Sequence, residues 1–149
     1  MIQRIQTLYL LLVVILGTLL CFFAPVQFLS PTTELMDLSI VDKWPLLVIA
    51  IASPLLALVN IFLFKRRFLQ VRLNIVNVIL CLGFYALLAL YTAYVVKGYE
   101  PLGAITLQDA EWFLTPWAAL PLVNVILTMM ATRRILKDEA LVRAADRLR

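Results

Sequence analysis

The sequence predicts an all-α membrane protein. It reads as a bundle of four transmembrane helices with both termini cytoplasmic, followed by a cytoplasmic, amphipathic C-terminal helix. Three observations carry this. The chain of 149 residues is 64% hydrophobic, with a mean hydropathy of +0.98, whereas soluble domains sit near half apolar. Four runs, Leu8 to Phe28, Trp44 to Phe64, Asn74 to Val96 and Trp112 to Thr132, contain no Asp, Glu, Lys, Arg or His and are long enough to cross a bilayer. A short basic turn, Phe64-Lys65-Arg66-Arg67-Phe68-Leu69-Gln70-Val71-Arg72-Leu73-Asn74, lies between the second and third, and short loops rich in Lys and Arg are retained on the cytoplasmic side. That turn sets the direction of every other segment.

The spans are expected over about residues 6–28, 44–64, 74–96 and 112–132, with the tail helix over 133–149, all in one domain. The first run has the rival reading of a cleaved signal peptide. Its length and the lack of an Ala-x-Ala site argue against that, and Leu19-Leu20-Cys21 lacks the small residue expected before a lipoprotein cysteine. Ser30-Pro31 breaks this helix, and Glu34, Asp37 and Asp42 make the next loop acidic. The same loop holds Leu35, Met36, Leu38, Ile40 and Val41, too apolar for full solvation, so it is expected to fold back on the membrane face.

Trp44-Pro45 opens the second span: Trp suits the interface and Pro is tolerated in a first helical turn. Pro54 is expected to kink it. Tyr91 and Tyr94 fit an aromatic belt at the outer end of the third span. A second acidic loop follows, with Glu100, Asp109 and Glu111. The fourth span, from Trp112, contains Pro116 and Pro121 and is closed by Arg133 and Arg134.

On this layout the outside carries only Lys43 and Lys97, while Arg4, the turn and the tail keep every other basic residue inside. This asymmetry predicts the bacterial cytoplasmic (inner) membrane with both termini inside. Basic residues cluster at the ends of apolar runs and no recognisable module appears, so no nucleic-acid partner is expected. Cys21 and Cys81 fall at different depths and read as small buried hydrophobes rather than a disulfide. Asp42-Lys43-Trp44 and Asp109-Ala110-Glu111-Trp112 begin two similar hairpins, which fits either a parallel repeat or the shared grammar of hairpins that start and end inside.

The chemistry is defined mostly by absence. Pumps, proton-coupled carriers and intramembrane hydrolases usually need ionisable groups at depth, and the four runs hold none. Zinc needs clustered His or Cys, and Ser53 has no base to activate it. No enzyme, cofactor or metal site is expected. The polar residues that enter the membrane are amides, Asn60, Asn74, Asn77 and Asn124. They fit interhelical hydrogen bonds that fix packing, or a polar cavity for a ligand near Asn60, Asn77 and Asn124. In the tail, Ala140, Leu141, Ala144, Ala145 and Leu148 share one face and Glu139–Arg143 is a favourable pair. The tail is either a docking helix, laid on the bundle or the lipid surface, or a solvated extension of the fourth span.

The opening Met-Ile-Gln-Arg-Ile-Gln, the turn Phe-Lys-Arg-Arg-Phe-Leu-Gln-Val-Arg-Leu and the ending Lys-Asp-Glu-Ala-Leu-Val-Arg-Ala-Ala-Asp-Arg-Leu-Arg resemble one family over essentially the whole chain. It is a family of unknown function, of small four-span inner-membrane proteins from Bacteroidota. The resemblance implies the same topology and supplies no activity. The expectation is a non-enzymatic accessory or scaffold subunit that presents Lys65, Arg66, Arg67, Arg72, Arg143, Arg147 and Arg149 to anionic membrane lipid or a membrane-protein partner. The alternative is a small carrier or lipid-handling protein using the asparagine cavity.

Overall fold

The computed structural model describes residues 3–29, 35–63, 66–97 and 111–146. The first apolar run does not stay helical. Helix α1 spans Gln3–Leu20 and closes with tightened bonds from Cys21 N to Thr18 O (3.1 Å) and Phe22 N to Leu19 O (3.0 Å), the usual way to satisfy last-turn carbonyls. Pro25 then biases the residue before it towards extended backbone. Strand β1, Val26–Leu29, follows. Val26 and Phe28 are buried and Gln27 and Leu29 half-buried, the period-2 alternation of a strand. The expected span over 6–28 is thereby corrected at its end.

The rest of the sheet comes from the first acidic segment and from the stretch expected to open the fourth span. Strand β2, Leu35–Asp37, pairs antiparallel with β1 so that Gln27 faces Asp37, and Gln27 Nε2 donates to Asp37 Oδ1 at 2.7 Å. Helix α2, Trp44–Phe62, carries Pro45 in its first turn and runs on through Pro54. Helix α3 is Arg67–Val96, seven residues longer at its start than expected. Arg67 and Arg72 therefore stand on a helix. Strand β3, Glu111–Leu114, lies on the far side of β1, with Val26 opposite Leu114 and Phe28 opposite Trp112. The sheet order is β2-β1-β3. After a single 3-10 turn, Pro116–Ala119, helix α4 runs from Leu120 to Asp146 without a break. The helix expected as a fourth span therefore starts near Pro116 rather than Trp112, its prolines sit in first turns where they are tolerated, and as far as Asp146 the tail continues α4 rather than forming a separate helix.

Helix α1 packs on α2 and α4, and α3 packs on the same two. Asn60 meets Asn74 while Ser53 meets Cys81, so α2 and α3 run antiparallel. Asn74 meets Thr132 while Tyr85 meets Ala118, so α3 and α4 do too. Buried positions recur at spacings of three and four: Leu10, Val13, Gly17 and Leu20 on α1; Pro121, Asn124, Thr128, Ala131 and Ile135 on α4. The longest series is on α3, from Gln70 through Asn74, Asn77, Cys81, Phe84, Leu88 and Thr92 to Val95. Such a seam lets neighbouring helices keep one stripe in contact.

The two ends of this assembly differ. At the sheet end Val26, Phe28, Leu38 and Ile40 enter an apolar cluster with Leu20, Leu46, Ala50, Phe84 and Leu88, so residues 35–40 pack against the helices as a strand and a buried hook. Phe23 stacks on Trp117 with ring centroids 3.9 Å apart, and Thr115 Oγ1 donates to Ala24 O at 2.7 Å, tying α1 to α4 there. The opposite end holds the basic turn and the last turns of α4. The outward faces between are apolar, with Val48, Ile79 and Ile126 all more than half exposed. Three helices, Trp44–Phe62, Arg67–Val96 and Pro116–Ala144, are long and apolar enough to cross a membrane, and Ile5–Leu20 is a shorter apolar helix. The protein is mostly helical and suited to a membrane.

Candidate functional site

A polar seam runs through the half of the interior away from the sheet. Asn60 on α2 donates through Nδ2 to Asn74 Oδ1 (2.6 Å) and to Gln70 O (3.2 Å). Gln70 Nε2 returns a bond to Asn60 O at 2.9 Å. Asn74 Nδ2 donates to Thr132 Oγ1 at 3.0 Å, and the Thr132 and Thr128 hydroxyls donate to the carbonyls of Thr128 and Asn124. The structure thus brings Asn60 and Asn74 together and adds Gln70 and Thr132. Gln70 is 5% exposed, not part of a solvated turn. Its helical spacing to Asn74 and Asn77 is the sequence signal for it, obscured by the basic residues around it.

Asn77 and Asn124 behave differently. Both are at most 2% exposed, yet Asn77 Nδ2 and Oδ1, Asn124 Oδ1 and Asn60 Oδ1 have no hydrogen-bond partner among the described residues. A cavity of about 10 Å³ lies beside Asn124, Ser53, Cys81 and Gly17. That is room for about one water molecule, at the ~10–15 Å³ threshold. The Ser53 hydroxyl and Cys81 thiol meet there at 3.6 Å, and Cys21 and Cys81 are both free thiols.

The basic face forms where the start of α3 meets the end of α4. Arg66 and Arg67 stand at the α3 N-terminus, which has no side-chain cap and no acid in its first turn. Exposed helix N-termini favour anions, so two cations here are locally unfavourable. Glu139 of α4 relieves this: it lies 3.6 Å from Arg67 and accepts from Arg143 Nε at 3.0 Å. Arg72 lays its guanidinium over the Phe68 ring at 4.6 Å. Between the helices is a groove of about 350 Å³ lined by Phe68, Val71, Ile135 and Leu136, with Arg67, Glu139 and Arg143 at its polar edge. Lys65, Arg147 and Arg149 lie outside the described residues.

Of the two places expected for the apolar tail face, the bundle and the lipid surface, its described part does not take the bundle. Ala140, Leu141 and Ala144 are exposed, and the α4 side that turns inward at this level carries Ile135, with Asp138 and Glu139 half-buried. Gln6 Nε2 of α1 donates to Asp138 Oδ2, so the inward acids are held by α1 and α3 while the apolar tail face points away. Among the described residues no three His, Cys, Asp or Glu side chains converge as a metal site would require.

Neither the curated proteins nor the solved structures contain a match to this chain. A family profile, described as Domain of unknown function (DUF4293), matches residues 2–148. The match runs through every element described above, and the chain belongs to that family.

Proposed function

We propose that this chain is a four-span protein of the bacterial cytoplasmic membrane, both termini inside, acting as a non-enzymatic accessory or scaffold subunit. Its working surface is the basic face formed by Arg66, Arg67, Arg72 and Arg143, extended in sequence by Lys65, Arg147 and Arg149. The occupant is an acidic segment of a membrane-protein partner or anionic lipid. One observation carries this reading: cations from two helices distant in sequence converge on one groove, with Glu139 shared between Arg67 and Arg143. The charge asymmetry supports the orientation, and the resemblance to a Bacteroidota family supports the inner membrane. The carrier reading is weaker, because a cavity of about 10 Å³ at the seam leaves no room for a solute larger than water.

The test is mild-detergent co-purification with mass spectrometry of retained lipids, comparing the wild type with a combined Arg66→Glu, Arg67→Glu and Arg143→Glu variant. Loss of a partner or of bound anionic lipid, with the melting midpoint unchanged, is expected. If partners, lipids and growth are all unaltered, the basic face serves orientation alone.

A further inference from the structure

At the sheet end a second groove, of about 430 Å³, opens between α3 and β3, within the ~300–1,000 Å³ range of ligand clefts. We propose that it holds one acyl chain of an anionic phospholipid, with the Lys97 ammonium at the head-group phosphate. The proposal rests on the membrane-spanning reading of α3 and is independent of the basic face at the other end.

The shape follows from sequence. Ala89 and Ala93, one turn apart on α3, recess the helix surface, while strand alternation turns Trp112 and Leu114 towards it. The interior offers nothing to a polar guest. Thr92 Oγ1 donates to Leu88 O at 2.8 Å, so its hydroxyl proton is already engaged. Tyr85 OH donates to Ala118 O at 2.6 Å and accepts from Leu122 N at 3.0 Å. A polar solute would lose its hydration without replacement, whereas a hydrocarbon chain loses nothing.

Depth and charge name the guest. Ala89 and Lys97 are separated by about 12 Å along the helix, so the groove runs from hydrocarbon depth towards the interface. Leu90, next to it on α3, is 53% exposed, so the groove lies beside a lipid-facing surface. Lys97 is exposed and lines the groove. The other described charges of this end are turned elsewhere: Lys43 lies over the Tyr91 ring at 5.6 Å, Asp37 accepts from Gln27, Asp42 does not line the groove, and Glu111 alternates to the side of β3 opposite Trp112. An apolar slot with a cation at its mouth complements an anionic amphiphile.

Trp112 makes the groove observable. In the full chain carrying Trp44→Phe and Trp117→Phe, it is the single tryptophan. The protein is reconstituted in phosphatidylcholine vesicles containing either phosphatidylglycerol or phosphatidylcholine with dibrominated acyl chains, whose bromines quench on contact. Brominated phosphatidylglycerol should reach half-quenching at about fivefold lower mole fraction than brominated phosphatidylcholine, the factor expected for one lysine at an anionic head group. Lys97→Gln should abolish that difference while keeping the quenching. Ala93→Leu, which fills the groove from an exposed position, should abolish the preference with the melting midpoint intact; should it unfold the protein, Lys97→Gln alone decides. Equal quenching by both lipids in the wild type overturns the proposal, as do occupation by residues 98–110 or by a second copy, which would shield Trp112 from bromine. Quenching absent even in fully brominated bilayers, with Trp112 still open to aqueous iodide, would instead overturn the membrane-spanning reading.

Discussion

Asn60 and Asn74 share a side-chain hydrogen bond of 2.6 Å that joins α2 to α3, and Asn74 passes the link to Thr132 of α4 at 3.0 Å. One amide thus fixes the relative height of three helices. Interhelical polar contacts are typically worth about 0.6–2 kcal/mol, and Asn74 makes two. Asn74→Leu is expected to cost about 1–3 kcal/mol, read as a lowered melting midpoint in mild detergent.

Asn77, one turn further along α3, should answer in the opposite sense. Both atoms of its amide lack partners among the described residues, and replacing an unsatisfied buried group by an apolar one of similar shape is neutral or stabilising. Asn77→Leu is expected to leave the midpoint unchanged or raise it. A loss as large as that of Asn74→Leu would show that water or a ligand satisfies Asn77 in the membrane.

Gly17 and Gly83 form a second contrasting pair. A Cβ on Gly17 would lie 3.2 Å from Pro54 Cβ and Cδ, whereas one on Gly83 meets nothing within 4 Å. Gly17→Leu must push α1 off α2 and should cost about 1–3 kcal/mol through overpacking. Gly83→Ala should stabilise by up to about 1 kcal/mol, from helix propensity alone. Thermal melts of both variants check the α1–α2 approach.

Glu139 is the counter-charge of the basic face. Glu139→Gln frees both Arg67 and Arg143 and should raise phosphatidylglycerol retained through detergent exchange, more at low salt than at 0.15 M, where the screening length is about 8 Å. The folding cost should stay within about 1 kcal/mol, because Arg143 is exposed and such pairs are screened. Unchanged retention at every salt concentration would count against lipid as the occupant.

Orientation is testable by cysteine labelling in a Cys21→Ala, Cys81→Ala background. Val41→Cys, from a position 59% exposed at the sheet end, should react with an impermeant thiol reagent added to intact cells. Arg66→Cys, exposed at the other end, should react only after the membrane is opened. The reverse pattern would invert the proposed topology.

The apolar helices and their approximate places are legible in local sequence. Trp44-Pro45 marks the start of α2 to the residue, because an interfacial Trp and a first-turn Pro are local signals. Val96 likewise ends α3 as read. The errors fall where local chemistry is ambiguous. Residues 21–28 are as apolar as a helix end, and only a partner strand shows that Val26-Gln27-Phe28 alternates into a core; Trp112-Phe113-Leu114 is ambiguous for the same reason. Arg67 to Leu73 looked like a turn because charge suggested one, yet Arg, Gln and Leu are good helix formers. Only the packed structure shows which amides bond to one another, that Glu139 reaches Arg67 across 72 positions of chain, and that Val26–Leu29, Leu35–Asp37 and Glu111–Leu114 close one end as a sheet. Those facts depend on distances between segments remote in sequence, and no local periodicity encodes a distance.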